Sequence, residues 1–242
     1  MPIPDPRSPI PDPRSRLRSY LLLSRVSNLP TVWTNVLAGM CAAAVPLDLG
    51  AYVHVALAVS LFYTGGMFLN DAFDAPADRL ARPERPIPAG DVPRREVFAV
   101  GGALLVVGEL LLAPRMTAML LGLALGAAIV AYDYRHKGSR VAPLVMGACR
   151  GLVYGIGAAT VGVLTPTALA GAVAMLAYVA ALTVVAKRAG AHARWLVPLL
   201  IAGISLADAL FIAIVSSSAA LALAAASGFA LTLILQRWVP GD

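Results

Sequence analysis

Two cysteines and three histidines in 242 residues leave little material for disulfides or soft-metal sites. Cys41 and Cys149 both fall inside apolar runs, so packing is their expected role. His54, His136 and His192 lack ligand spacing and suggest no metal. Charge is also scarce. Only 13% of residues are Asp, Glu, Lys or Arg, against 59% hydrophobic, with a mean hydropathy of +0.79. A soluble domain of this size could not bury so much apolar surface, so the class is polytopic membrane protein. The net charge of +6 does not indicate nucleic acid, because the basic residues lie between apolar runs rather than on one soluble face. No apolar core follows a basic start, so no cleavable signal peptide is expected.

The chain has eight apolar segments, at roughly 28–46, 51–71, 95–113, 116–132, 141–163, 167–186, 195–215 and 217–236. At about 1.5 Å per residue each could cross a hydrocarbon core of about 30 Å. The expected fold is all-α, a polytopic transmembrane helical bundle of eight spans. Residues 2–8 recur unchanged at 9–15, and this Pro-rich stretch makes 1–19 an expected extended or disordered tail ahead of a single helical domain over 20–242. Alternate connections separate by charge. One side collects Arg79, Arg82, Arg85, Arg94, Arg95, Arg135, Lys137, Arg140, Lys187, Arg188, Arg194 and Arg237 with the N-terminal arginines, and the other holds Arg115 alone. The positive-inside rule assigns the basic side, with the N-terminus, to the cytoplasm. Gly122 with Gly126, and Gly147 with Gly151 and Gly155, are spaced for close helix packing in lipid.

Polar chemistry concentrates at the basic end of the second span. On a helix, Asn70, Asp74, Asp78 and Asp71 fall at roughly 0°, 40°, 80° and 100°, one shared face. Carboxylates this close repel one another and favour a bound cation. The arginines of Arg79-Leu80-Ala81-Arg82-Pro83-Glu84-Arg85 suit an anion, above all phosphate. Together they suggest a metal-bridged diphosphate; the same residues would also serve as a solvated, charged helix end that needs no ligand. Pro76 disfavours helix at Ala75, so the span is expected to kink or end there, leaving Asp78 on a turn. Tyr132-Asp133 through Lys137 closes the fourth span, and Lys187-Arg188 the sixth, on the same side. Asp208 and Arg150 lie deep in apolar spans, where each costs roughly 2.5–3.5 kcal/mol at the helix centre. Pairing inside the bundle or lining a cavity would relieve that cost.

Asn70-Asp71-x-x-Asp74-x-x-x-Asp78, followed by Arg82-Pro83-Glu84-Arg85-Pro86-Ile87-Pro88-Ala89-Gly90, resembles the first Asp-rich motif and Arg-Pro loop of UbiA-type intramembrane prenyltransferases. Arg25 through Asn35 is similar to the start of that family's first helix. Tyr132-Asp133 to Lys137 with Pro143 to Arg150 is similar to a divergent branch called EboC-like. The resemblance covers about residues 20–190. It implies a helical bundle around a central cavity and transfer of a prenyl group from an isoprenyl diphosphate to an aromatic or other lipophilic acceptor. Mg²⁺ is the implied cofactor, with Asn70, Asp71, Asp74 and Asp78 as its ligands, Asp71, Asp74 and Asp78 being catalytic. Asn35, Arg82, Arg85, Tyr132 and Lys137 are the implied substrate-binding residues. The sequence departs from the family at the sixth span, where a second Asp-rich motif is replaced by Tyr178 through Gly190 and no carboxylate occurs between Asp133 and Asp208. Lys187 and Arg188 are expected to meet the diphosphate in place of a second metal. It departs also in having eight spans for the family's typical nine. A non-catalytic lipid-binding or assembly protein is the alternative class, and a transporter a weaker one, since no repeat with broken midplane helices is evident.

Overall fold

The computed structural model describes residues 13–135, 139–162 and 164–241. Among them the chain forms α1 (Pro13–Ser24), α2 (Leu29–Ala42), α3 (Leu49–Ala81), α4 (Pro86–Ala89), α5 (Arg94–Leu112), α6 (Met116–Arg135), α7 (Ala142–Thr160), α8 (Pro166–Arg188), α9 (Ala193–Ser216) and α10 (Ala219–Gln236). All eight apolar segments are helical. Six helices, α3 and α6 to α10, are long and apolar enough to cross a membrane. The count of eight crossings is therefore not reached on length and composition. Helix α2 has 14 residues, about 21 Å against a core of about 30 Å, and α5 carries Arg94, Arg95, Glu96 and Glu109 in 19 residues.

The short helix is the axis of the bundle. Twelve of the 14 residues of α2 are buried, so no face of it is left for lipid. Val32, Val36 and Met40, one helical face, pack with Val59 and Phe62 of α3, Leu125 of α6 and Ile156 of α7. Leu37 and Cys41, on another face, pack with Tyr154 of α7, Val179 of α8, Ile204 and Ile212 of α9 and Ala225 of α10. Around this axis α3 packs on α5, α7 on α6 and α8, and α9 on α10. The outer faces are apolar too. Leu110, Leu120, Leu169, Val173, Leu210, Ile214 and Leu223 are all exposed, a surface suited to acyl chains.

Small residues allow the tight contacts. A Cβ on Gly147 or Gly151 would collide with the backbone carbonyls of Leu176 and Ala172, so the glycine row of α7 is where α8 docks. Gly39 and Gly157 do the same between α2 and α7, a pair that spacing along one helix does not reveal. Gly126 has only an ordinary contact with Phe62, so the expected Gly122–Gly126 pair is not a close helix seam. Side-chain caps set three starts: Asp48 accepts from Ala51 N, Thr165 from Ala168 N and Ser218 from Leu221 N.

The tail expected over 1–19 is corrected in part. Helix α1 begins at Pro13, because polar contacts hold it on α5: Arg16 donates to both oxygens of Glu96 at 2.7 and 2.8 Å, Tyr20 donates to the same carboxylate, and Ser19 donates to Asp91. Pro is well placed in a first turn, where its missing N–H has no helical partner. Residues 1–12 lie outside the described residues.

Candidate active site

Helix α3 carries the carboxylates past the hydrocarbon. Its stretch from Leu49 to Leu69 is already about 31 Å long at about 1.5 Å per residue, so Asn70 stands where the helix leaves the core. The break expected at Pro76 does not occur, and α3 continues to Ala81 with Pro76 exposed inside it. Proline cannot donate to the carbonyl four residues earlier, that of Ala72. Arg94 supplies the donor instead: its Nε reaches Ala72 O at 2.6 Å while its guanidinium carbon lies 5.1 Å from the Phe98 ring. Asp78 therefore stays in helical register with Asp71. Arg94→Ala is expected to lower stability by about 1 kcal/mol, read as thermal unfolding, and Pro76→Ala in that background should restore most of it by returning the missing N–H.

The loop after α3 turns one arginine back onto this face. Pro86 holds Arg85 extended (φ −67°, ψ 149°), and Gly90 ends α4 in the left-handed region at φ 86°. Ile87 and Val92 anchor the loop among Phe68, Ala72 and Ala75. Arg85 Nη1 then lies 2.9 Å from Asp78 and 3.2 Å from Asp71. Asp71 also pairs with Arg25 Nη2 at 3.2 Å. Arg25 itself is strained, a non-glycine residue at φ 46° just before the turn Val26–Asn28.

Beside these pairs opens a cavity of about 190 Å³. Arg25, Asn70, Tyr132 and Asp133 line it, with Tyr63, Cys149 and Arg150 further in and Val32, Val59, Phe62, Leu125 and Val153 as apolar walls. Asn70 Nδ2 donates to Asp133 Oδ1 at 3.1 Å, joining α3 to α6. The charges of Asp74 and Asp78 act on Asp71, and those of Asp74 and Asp71 on Asp133, so one electrostatic unit spans both helices. The mouth thus offers oxygen donors and guanidinium groups together, above an apolar chamber.

Mg²⁺ fits this donor set within limits. Carboxylate and amide oxygens suit a hard divalent cation. Among the described residues, however, no three Asp, Glu, His or Cys side chains are grouped to hold a metal by themselves. Arg85 spans Asp71 and Asp78, in the place between two carboxylates where a cation is favoured. Mg²⁺ commonly uses only one or two carboxylates and takes its other ligands from water and substrate phosphate, which these residues can accommodate.

The sequence-named residues divide by position. Asn70 and Tyr132 line the cavity. Asp71 adjoins it through its pair with Arg25, Asp78 and Arg85 join Asp71 on one side of α3, and Asp74 lies near enough for its charge to act on Asp71 and Asp133. Arg82 stands apart: it caps α3 with its side chain exposed. Lys187 and Arg188 are exposed at the end of α8 and do not line the cavity. Lys137 lies outside the described residues. Asn35, expected to bind substrate, does not line the cavity. Fully buried, it donates from Nδ2 to Asp208 at 2.7 Å and accepts from Arg150 Nη1 at 2.9 Å. Asp208 and Arg150 consequently do pair inside the bundle, but through this amide, and only Arg150 also lines the cavity. Thr34 Oγ1, at 2.6 Å, and Tyr154 Oη complete the donors to Asp208.

Two residues, Arg25 and Asp133, belong to stretches noted in the sequence but are given no site role there. Arg25 is one basic residue among several near the N-terminus, and only its left-handed backbone aims it at Asp71. Asp133 follows the named Tyr132, two residues before the end of α6, and that position was its available signal.

The fold and this mouth have relatives. The sequence matches the UbiA prenyltransferase family over residues 31–239. It is 34% identical over 132 residues to digeranylgeranylglyceryl phosphate synthase of Methanopyrus kandleri, covering 54% of this chain and 48% of that protein. With the enzyme of the same name from Ignicoccus hospitalis it shares 37% over 117 residues, 48% of this chain and 35% of that protein. The matches thus span about half or less of these curated relatives. A solved structure from work on the biosynthesis of digeranylgeranylglyceryl phosphate synthase in membranes has a TM-score of 0.61 at 17% identity, covering 93% of this chain and 95% of that one. The apo structure of a UbiA homologue from Aeropyrum pernix K1 gives 0.56 at 18% identity, with 90% and 95% covered. At such identities the structural likeness is one of fold. Because the family match runs through nearly all of the bundle, α2 to α10, the chain belongs to the UbiA prenyltransferase family.

Proposed function

We propose that this protein is an intramembrane prenyltransferase, moving a prenyl group from an isoprenyl diphosphate to a lipophilic acceptor. The observation that carries the reading is the pairing of Asp71 and Asp78 with Arg25 and Arg85 beside an apolar cavity that Arg25 and Asp133 themselves line. A diphosphate needs cations, and a prenyl chain needs a dry, greasy chamber.

One or two of Asp71, Asp74 and Asp78 would hold Mg²⁺, which would supply charge neutralisation to the diphosphate leaving group. The chain's own residues do the rest. Arg85 and Arg25 exchange part of their carboxylate contacts for diphosphate oxygens as substrate enters, holding the head at the mouth. The allylic C–O bond breaks with its electron pair leaving on diphosphate, the acceptor's electron pair forms the new bond to carbon, and the proton the acceptor loses passes to the departing diphosphate. Val32, Val59, Phe62, Leu125 and Val153 keep water from the electron-poor prenyl carbon meanwhile. Lys137 is proposed as a further contact of the diphosphate.

The acceptor is read as a lipid because the named relatives make a glyceryl phosphate lipid; the family resemblance also admits an aromatic one. The mouth is proposed to face the cytoplasm, since the basic connections gather at that end. Purified protein with Mg²⁺, labelled prenyl diphosphate and extracted lipids should release diphosphate and form a prenylated product, identified by mass spectrometry. Chelation with EDTA should stop release, and added Mg²⁺ should restore it. The exposed Lys187–Arg188 end of α8, where carboxylates are missing, favours one rival: a lipid-binding protein without turnover. Bound prenyl diphosphate with no release under any acceptor would establish that rival instead.

A further inference from the structure

Arg150 is the ninth residue of the 19 in α7, deep in the bundle, and among the described residues no carboxylate lies within 4 Å of it. Its neighbours hold it in place without using it up. Nη1 donates to Asn35 Oδ1 at 2.9 Å and Nη2 to Thr31 Oγ1 at 3.0 Å. A guanidinium has five N–H donors; two are engaged here, and no hydrogen bond from the other three is seen among the described residues. The group is half-buried and lines the same cavity as Tyr63, whose ring centroid lies 5.8 Å from its central carbon. Tyr63 precedes Asn70 by seven residues on α3, about 10 Å deeper than the mouth. Asp71 and Arg85, which would grip a diphosphate, are not among the residues that line the cavity at this level. Asp208 balances the charge through Asn35 but is fully buried and closed off from the cavity, so it leaves those three donors untouched.

We propose that Arg150 is a second anion site, built to receive the acidic head, carboxylate or phosphate monoester, of the lipophilic acceptor. A planar fork fixed by two hydrogen bonds matches either head in bidentate geometry. Placing it below the mouth keeps the acceptor's anion apart from the diphosphate while leaving both in one chamber. The role as acceptor site rests on the prenyl-transfer reading above; anion binding does not.

Three probes with one fifteen-carbon chain separate the cases: farnesol, farnesoic acid and farnesyl phosphate, measured by equilibrium binding to purified full-length protein in EDTA. Wild type should hold at least one of the two acids at least about tenfold tighter than the alcohol, and the tighter acid names the head. Arg150→Gln should bring that preference to within about threefold while leaving farnesol unchanged. If that variant does not fold, Arg150→Lys decides, since it keeps the charge and loses the fork; its preference should fall by at least about threefold. Equal binding of all three probes by wild type, or an undiminished preference in the folded variant, overturns the proposal. No turnover is scored and no divalent ion is present. A chain that binds acids but transfers nothing thus fails the prenyl-transfer reading and keeps this one.

Discussion

Asp74→Ala is expected to abolish prenyl transfer, lowering kcat/KM by about 10³-fold or more while the protein stays folded. The size follows from the role. Removing one preorganised partner of charge that develops in the transition state costs about 10²–10³ in rate, and a carboxylate that also recruits Mg²⁺ adds the lost ion to that cost. A thousandfold corresponds to about 4 kcal/mol of transition-state stabilisation. Asp71 is the poorer test. It is buried between Arg25 and Arg85, so its loss strands Arg25, leaves Arg85 with Asp78 alone, and mixes catalysis with stability. Asp74 is half-buried on the same helix, and its charge acts on both Asp71 and Asp133. Steady-state kinetics with a saturating acceptor, beside a melting curve within about 2 °C of wild type, checks the outcome. Activity within tenfold of wild type would remove Asp74 from the metal-binding set and with it the mechanism built on that set.

What sequence could and could not reveal here follows from the range of each interaction. The helices were legible because apolar run length reports directly on the bilayer, and the eight segments all fold as helices. The face shared by Asp71 and Asp78 was legible because it depends on one helix alone. Pro76 misled because a local rule about a missing N–H says nothing of Arg94, eighteen residues on, which fills the gap. Asn35 misled for a similar reason. Its position on the first span fits a substrate contact, but Arg150 and Asp208, from α7 and α9, claim both ends of its amide. The axial place of α2 was equally hidden. Hydropathy marks a segment as buried in lipid or in protein without distinguishing the two, and the apolar run over 28–46 is longer than the 14-residue helix it forms. Contacts made between helices decide these cases, and no spacing along one chain encodes them.

Asp208→Leu should cause the largest loss of stability of any single change in the bundle, about 3–5 kcal/mol, and a fall in melting temperature of roughly 10 °C or more. The carboxylate is wholly buried and accepts from Thr34, Asn35 and Tyr154. These donors come from α2 and α7, so the one group on α9 fastens the axial helix to both of its neighbours. Leucine fills the volume but leaves three donors without an acceptor, each at about 1–3 kcal/mol unless the site relaxes. It also removes the charge that balances Arg150 through Asn35. Asp208→Asn keeps one acceptor oxygen and turns the other position into a donor facing donors, so it should fall between Leu and wild type. Tyr154→Phe removes a single donor from a carboxylate that retains two, and should cost least. Melting of the three variants in detergent checks the order Leu, Asn, Phe. If Asp208→Leu instead melts at or above wild type, the network is dispensable polar cargo, and apolar packing of Leu37, Ile204, Ile212 and Ala225 alone holds α9 to α2.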